Sequence, residues 1–186
     1  MNKSFILVAM LLLGSATAAV AQDVAYNFAQ DTDFSKFKTY KWVNLKDADN
    51  LDQLTQRQVM AAVDTELAAK GIRKTDSDSA DLYIAIQTAI NTSKQFVPFS
   101  PGWGYSPNWG RSWQGYGAAE MKAGQDSTIS VGQLDLDIYD TANKNVVWRG
   151  RANNVFDAKA KPHKQQQSIT IAVNKLLDYY PPPSKK

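Results

Sequence analysis

The sequence predicts an α+β fold: a two-layer sandwich in which two helices cover one face of a mostly antiparallel sheet of about four to five strands. Three observations support this prediction. Several segments alternate apolar and polar residues with a period of two, which is typical of strands with one buried face. Two longer segments repeat apolar residues at helical spacing. The last two predicted strands are joined by a short polar turn, as in a hairpin.

The hairpin, residues 128–156, organises the predicted sheet. Both of its arms alternate apolar residues with polar or charged ones. A turn containing Asp140, Asn143, Lys144 and Asn145 joins the arms. The inner face of the hairpin is predicted to carry Leu134, Leu136, Ile138, Val146, Trp148 and Gly150.

The outer face of the hairpin carries carboxylates opposite guanidiniums. Cross-strand pairing is expected between Asp137 and Arg149 and between Asp135 and Arg151. We expect this face to be solvated, because exposed ion pairs are common and each contributes only about 0 to 1 kcal/mol. The alternative interpretation makes Asp135 and Asp137 a pair of hydrolytic carboxylates.

Two further strands are predicted upstream of the hairpin. The first covers residues 37–43, where Tyr40 and Trp42 lie on the face opposite Lys41. The second covers residues 80–92, and the short stretch 72–74 pairs at most briefly with a neighbour. Residues 22–35 are polar and are not assigned to a strand. The second strand is predicted to place on one face Leu82, Ile84, Ile86, Thr88 and Ile90.

The two helices are predicted over residues 51–70 and 163–180. Asn50 and Gln53 resemble a capping box at the start of the first helix, and Lys70-Gly71 ends it. Three prolines, residues 181–183, stop the second helix. The apolar stripes consist of Leu51, Val59, Ala62, Val63 and Leu67 in the first helix, and of Ile169, Ala172, Val173, Leu176, Leu177 and Tyr180 in the second. Trp42 and Trp148 are expected to be inner-face aromatics.

Residues 98–117 differ from the rest of the chain because glycine and proline interrupt them every few positions. Ordering about 20 residues costs on the order of 20 to 40 kcal/mol of backbone entropy. Burying six aromatic side chains returns only about 9 to 18 kcal/mol. We therefore predict a mobile loop. It carries Phe99 and five aromatic residues that are candidate contacts with a ligand or partner: Trp103, Tyr105, Trp109, Trp113 and Tyr116.

The first 21 residues are predicted to be a secretory signal peptide. Lys3 precedes an apolar run over residues 5–13, and Ala19-Val20-Ala21 fits cleavage after Ala21. The run is shorter than the roughly 20 residues that span a bilayer. The remaining residues, 22–186, form one predicted α+β domain, and loss of Lys3 lowers the formal net charge from +3 to +2. A periplasmic location follows.

The composition excludes several classes of function. The chain has no cysteine, so it forms no disulfide and takes no lipid anchor through a cysteine. Its basic residues are interleaved with acidic ones, which does not favour nucleic-acid binding. His163, the single histidine, is expected to be exposed at a helix start. No cysteine nucleophile, multi-histidine metal site or cofactor site is therefore predicted, and we expect no enzyme activity.

Several sequence blocks carry a family resemblance. They are residues 33–42, 63–71, 80–83, 134–140, 147–150 and the terminal helix with residues 180–183. In this order the chain resembles the domain-of-unknown-function family 4136 of bacterial envelope proteins, over most of residues 31–183. The resemblance implies a fold and a compartment but no catalytic residues. Many members resemble lipoproteins, whereas this chain lacks the necessary cysteine.

These observations predict an exported, non-catalytic domain of a Gram-negative-type envelope that acts as a binding or assembly module. Its partner is an unknown envelope protein or a glycan. One alternative is glycan or peptidoglycan binding, in which loop tryptophans stack on sugar rings. Another is a hydrolase that uses Asp135 or Asp137. The loop is also interpreted as a tolerated insertion without a binding role.

Overall fold

The computed structural model of this 186-residue chain describes residues 23–44, 51–89, 94–95, 128–129 and 132–183. Two α-helices are present in these residues, α1 (Gln53–Ala69) and α2 (Pro162–Leu177), together with a short 3-10 helix at Phe34–Lys36. The strands are β1 (Val24–Phe28), β2 (Thr39–Trp42), β3 (Arg73–Lys74), β4 (Leu82–Ala89), β5 (Lys94–Gln95), β6 (Thr128–Ile129), β7 (Gln133–Asp140) and β8 (Asn145–Ala152).

Six of these strands form one mixed sheet in the order β1-β8-β7-β4-β2-β3. Neighbours pair antiparallel from β1 to β4, whereas β2 runs parallel to both β4 and β3. Strands β5 and β6 pair with each other in a second, two-stranded sheet. The predicted α+β class is confirmed, with more strands than the four or five expected.

Both helices pack on the same face of the sheet. Their predicted apolar stripes enter one core with the alternate residues of the central strands, which confirms the expected two layers. Among the residues with at most 1% exposure are Val59, Val63 and Leu67 of α1, Ile169, Val173 and Leu176 of α2, and Leu134, Leu136 and Ile138 of β7.

The start of α1 differs from the prediction. The N-cap is Asp52, whose Oδ1 accepts hydrogen bonds from the backbone N–H groups of Leu54 and Thr55, each at 3.0 Å. The predicted capping box at Asn50 is therefore wrong, because Asp52 is the residue that satisfies these helix donors. The predicted end is confirmed, since Gly71 follows the helix with a φ of +79°.

Helix α2 ends at Leu177, three residues before the predicted limit. Tyr180 nevertheless reaches the core with 1% exposure. Its ring packs edge-on against Trp148 and Phe34, with centroid separations of 5.6 and 5.7 Å. The turn after α2 thus continues the apolar stripe without continuing the helix.

Strand β1 was not predicted, so the assignment of residues 22–35 as a segment without a strand is wrong. Val24, Tyr26 and Phe28 alternate along β1, and the strand pairs antiparallel with β8. This period of two is the signal that identifies the strand. It covers only five residues and is followed by a polar stretch, which made it weak in the sequence.

A β-bulge interrupts the hairpin of β7 and β8. Ile138 lies opposite Trp148, but Tyr139 lies opposite Val146, so Val147 is the extra residue. Val147 enters the main core with 1% exposure, whereas Val146 packs beside Tyr139 on the opposite face. The predicted inner-face position of Val146 is wrong, because the bulge reverses the alternation at this point.

Candidate functional site

The strongest concentration of polar side chains lies on the sheet face opposite the helices, here called the polar face. Two rows of residues cross β1, β8, β7 and β4 in register. The polar face comprises Ala25, Asn27, Arg149, Arg151, Asp135, Asp137, Ala85 and Gln87. The hairpin therefore contributes all four charged groups of these two rows.

Each carboxylate of the polar face binds one guanidinium through both of its oxygens. Arg151 donates from Nε to Asp135 Oδ1 and from Nη2 to Asp135 Oδ2, both at 2.9 Å. Arg149 donates from Nη2 to Asp137 Oδ2 at 2.8 Å, and its Nε donates to Asp137 Oδ1. The predicted cross-strand pairs are confirmed, and their bidentate geometry makes them strong hydrogen-bonded pairs.

The expected solvation of this face is wrong. Asp135 is 1% exposed, Asp137 2% and Arg149 7%. Strand β7 lies between β8 and β4, and the long Arg149 and Arg151 side chains of β8 lie against its carboxylates. Additional donors come from β7 itself: Gln133 Nε2 donates to Asp135 at 2.8 Å, and the Tyr139 hydroxyl donates to Asp137 at 3.2 Å.

The electrostatics of the pair of Asp137 and Arg149 favour a charged Arg149 guanidinium. Burial by itself lowers the pKa of Arg149, but the adjacent Asp137 carboxylate outweighs burial and raises that pKa above its ordinary value. A buried guanidinium that stays charged requires the carboxylate beside it. Both oxygens of Asp137 accept hydrogen bonds from Arg149. This pairing is a sufficient structural reason for a buried carboxylate at this position.

A second polar cluster joins α1 to the sheet and was not predicted. Asp64 of α1 accepts hydrogen bonds from the Tyr40 hydroxyl at 2.7 Å, Trp42 Nε1 at 2.8 Å and Lys74 Nζ at 3.0 Å. Burial raises the pKa of Tyr40, and the Asp64 carboxylate raises it further. Asp64 therefore links α1 to β2 and β3 through these hydrogen bonds. The apolar stripe of α1 gave no indication of this role, because Asp64 lies beside it.

A third cluster holds the start of β2 against β4 and the hairpin turn. Asp81 Oδ2 accepts from the backbone N–H groups of Lys38 at 2.8 Å and Thr39 at 2.9 Å. Asp140 Oδ2 accepts from Lys36 Nζ at 2.9 Å and Asn143 Nδ2 at 2.7 Å. Asp81 and Asp140 therefore both have a structural role as hydrogen-bond acceptors.

The described residues offer no group of three histidine, cysteine or acidic side chains suited to a metal ion. His163 is exposed at the start of α2, as expected. The predicted contact residues Trp103, Tyr105, Trp109, Trp113 and Tyr116 lie outside the described residues, and so does the predicted signal peptide. Their roles stay predictions. Among the described helices, none has the length and apolar character needed to cross a bilayer.

A profile of the family described as "Domain of unknown function (DUF4136)" matches residues 24–182. The chain belongs to the DUF4136 family. The match begins with β1 and ends after α2, so the DUF4136 domain includes the complete six-stranded sheet and both helices. The resemblance seen in the sequence is thereby confirmed. No curated protein matches the chain by sequence.

Two solved structures of bacterial proteins are similar to parts of this chain. A PDZ domain protein from Parabacteroides distasonis has 16% identity to the DUF4136 domain and a TM-score of 0.52, over 88% of this chain and 37% of that one. PelC from Paraburkholderia phytofirmans, solved as a dodecamer, has 12% identity and a TM-score of 0.45, over 84% of this chain and 95% of that one. The chain thus spans little more than a third of the PDZ domain protein, and that similarity shows the fold alone.

Proposed function

We propose that this DUF4136 domain is an exported, non-catalytic module of a bacterial envelope that acts by binding a partner. The observation that carries the proposal is the engagement of its candidate catalytic carboxylates. Asp135 and Asp137 each hold an arginine through both oxygens, which suits a structural role. His163 is exposed at the start of a helix. Binding is the class of function that these features favour.

The proposed compartment is the periplasm. The charged start, the apolar run and the small residues up to Ala21 are typical of a secretory signal that is cleaved before Gln22. The absence of cysteine excludes anchoring through a lipid on that residue. The domain would then act in an oxidising compartment, where its single core holds the fold without disulfides.

The proposed contact surface is the aromatic segment 98–117. Aromatic side chains supply large contact area and are enriched where proteins bind one another. The segment concentrates three of the chain's five tryptophans within eleven residues, 103–113. A glycine-rich segment of this composition suits contact with another envelope protein.

Affinity capture from crosslinked cells tests this proposal. The full chain is compared with a variant in which Trp103, Tyr105, Trp109, Trp113 and Tyr116 are replaced by serine. We expect the full chain to capture a specific set of envelope proteins that the variant loses. A matched control replaces Arg111 and Gln114 by serine in the same segment and should retain them. Identical protein sets for all three chains would reject the segment as the contact surface.

A second candidate function is binding to glycan, favoured by the tryptophans at positions 103, 109 and 113. Indole rings stack on the apolar faces of sugars in many carbohydrate sites. Sedimentation with purified cell-wall material measures this binding. We expect the chain to pellet with the material and the triple alanine variant to remain in solution. Equal pelleting of both would remove the hypothesis.

A further inference from the structure

Strand β1 forms one edge of the main sheet. In the part of the chain that the structure describes, β1 pairs with β8 only. Strand β3 forms the opposite edge, beside β2. Edge strands present backbone donors and acceptors that can pair with another strand, and natural proteins usually block such pairing.

The two edges differ in the features that block pairing. Strand β3 has two residues, Arg73 and Lys74, and both are exposed cations. Short length and positive charge are common protective devices at sheet edges. Strand β1 has five residues, VAYNF, with no charged side chain. Within the described part of the chain, only the β3 edge therefore carries these protections.

The direction of the backbone groups of β1 follows from the hydrogen bonds at its two ends. Ala29 N donates to Val147 O at 2.8 Å, and Asn153 N donates to Asp23 O at 2.9 Å. Because these groups alternate in direction along an antiparallel strand, Ala25 and Asn27 also point toward β8. The backbone groups of Val24, Tyr26 and Phe28 consequently point outward, away from β8.

One of these outward donors is already engaged. The Phe28 N–H donates to the Asn27 side-chain oxygen at 2.7 Å. The outward N–H donors that remain for a further strand are those of Val24 and Tyr26. Tyr26 is the middle one of the three residues whose backbone groups point outward.

An aromatic row lies beside this edge. The Tyr26 ring stacks on Tyr179 with centroids 4.4 Å apart and on Phe28 with centroids 6.3 Å apart. Tyr179 follows α2 and is 42% exposed, one of the most exposed large hydrophobic residues of the described chain. A strand added at β1 would lie next to this aromatic surface, which gives the added strand apolar contacts as well as hydrogen bonds.

We propose that β1 pairs with β1 of a second copy of the chain, antiparallel and about a two-fold axis at Tyr26. This register places each Tyr26 opposite its counterpart, Val24 opposite Phe28, and Ala25 opposite Asn27. The strand is complementary to itself in this arrangement, because apolar residues meet apolar residues and no like charges face each other. The two six-stranded sheets become one continuous sheet. The pairing goes beyond the proposed binding function, since it does not use residues 98–117.

Single cysteines test the register, because the chain contains no cysteine of its own. The backbone groups of Ala25 and Asn27 point toward β8, so in the proposed dimer these two residues face each other as a non-hydrogen-bonded pair. The Cα atoms of such a pair lie about 4.5 Å apart, within disulfide range. Ala25→Cys chains mixed with Asn27→Cys chains should therefore form a disulfide-linked dimer under mild oxidation. Ala25→Cys alone should crosslink several-fold less, because its two copies are about 7 to 8 Å apart on the diagonal. Arg73→Cys, at the β3 edge, measures random collision.

Sedimentation equilibrium of the exported chain gives an independent measurement. We expect the apparent mass to rise toward that of a dimer with increasing concentration. Val24→Pro removes an outward donor, leaves the bonds to β8 and should return the chain to a monomer. Ala25→Ser, on the polar face of the same strand, should still dimerise, and thermal unfolding confirms that both variants fold. The proposal is overturned if the unaltered chain stays monomeric, or if the cysteine mixture crosslinks no faster than Arg73→Cys. The sedimentation and crosslinking results are both independent of the affinity-capture experiment, which tests the aromatic residues of segment 98–117.

Discussion

At the scale of single residues, the polar face is defined by two paired aspartates and arginines. Alternation along the hairpin was sufficient to predict which aspartate meets which arginine. It did not predict their burial, because burial depends on the strands that flank β7 on both sides. The same two pairs are therefore integral to the fold, whereas exposed pairs contribute little to stability.

Replacing Asp137 with asparagine should destabilise the protein strongly. The substitution leaves Arg149, which is 7% exposed, without its counter-charge. A loss of about 3 to 5 kcal/mol in the free energy of unfolding is expected for breaking a buried pair in this way. Urea denaturation monitored by circular dichroism measures it.

The matched control for this prediction is Asp78→Asn. Asp78 pairs with Lys41, but its side chain is 90% exposed, so the change should have little effect on the free energy of unfolding. Replacing both Asp137 and Arg149 with apolar residues should recover much of the loss, since no unpaired charge remains. Equal effects of Asp137→Asn and Asp78→Asn would contradict the buried-pair interpretation.

Asp140 should make stability depend on acidity. Burial opposes its ionisation, but the hydrogen bonds from Lys36 and Asn143 outweigh burial, so the folded pKa of Asp140 lies below its ordinary value. The stabilisation is therefore complete above the unfolded pKa of about 4, and it is lost as the pH falls through the lower folded pKa.

Comparison with Asp140→Asn isolates this contribution. The variant should be less stable than the unaltered chain at neutral pH, and the difference should shrink below about pH 4. Asp81 also has a lowered pKa, and the Asp140 carboxylate partly raises it, so the same comparison made in an Asp81→Asn background separates the two groups. Unfolding free energies measured from neutral pH downward give the result. A difference that does not change with pH would show that the charge of Asp140 is unimportant.

At the scale of elements, the bulge in β8 decides which valine belongs to the core. A strict period of two places Val146 inside, together with Trp148. The structure instead buries Val147 to 1% exposure. Periodicity cannot reveal such a shift, because an extra residue on one strand is defined only relative to its partner strand.

Truncating the two valines should show this difference. Val147→Ala removes buried methyl groups from the main core and should cost about 1 to 3 kcal/mol. Val146→Ala, on a partly buried site of the opposite face, should cost less than half as much. Denaturant midpoints of the two variants provide the comparison. A larger effect at Val146 would mean that the register is regular through this part of the hairpin.

Gly150 should not tolerate a side chain, because α2 approaches β8 closely there. A Cβ at this position would lie 2.6 Å from Leu176 Cδ1 and would also overlap the Trp148 ring. Both neighbours belong to the core, so Gly150→Ala is expected to destabilise by about 1 to 3 kcal/mol through overpacking.

A compensating substitution provides the control for Gly150→Ala. Leu176→Ala alone should be destabilising, because it leaves a cavity. The double variant should lose less than the sum of the two single losses, since the smaller residue makes space for the added methyl. Thermal or chemical unfolding of the three variants gives this coupling, and strict additivity would argue against a close approach of α2 at Gly150.

At the scale of the whole molecule, the predicted export signal determines where the domain acts. Cleavage after Ala21 should give a periplasmic chain that begins at Gln22, two residues before β1. Mass spectrometry of the protein from a periplasmic extract measures this directly. Ala21→Phe, which places a bulky residue at the cleavage site, should leave the longer precursor. Finding the unaltered chain in the periplasm with Met1 still attached would contradict the prediction.

The sequence by itself determined the helices, the longer strands, the hairpin and its charge pairs, and the family resemblance. These follow from local periodicities of 2 and 3.6 residues, which report how a segment meets a core whatever its neighbours are. Only the tertiary structure decided that β1 completes the sheet beside β8, that Val147 replaces Val146 in the core, and that the Asp and Arg pairs are buried. Each of these depends on which strands become neighbours, and strand pairing joins residues that are distant in the sequence.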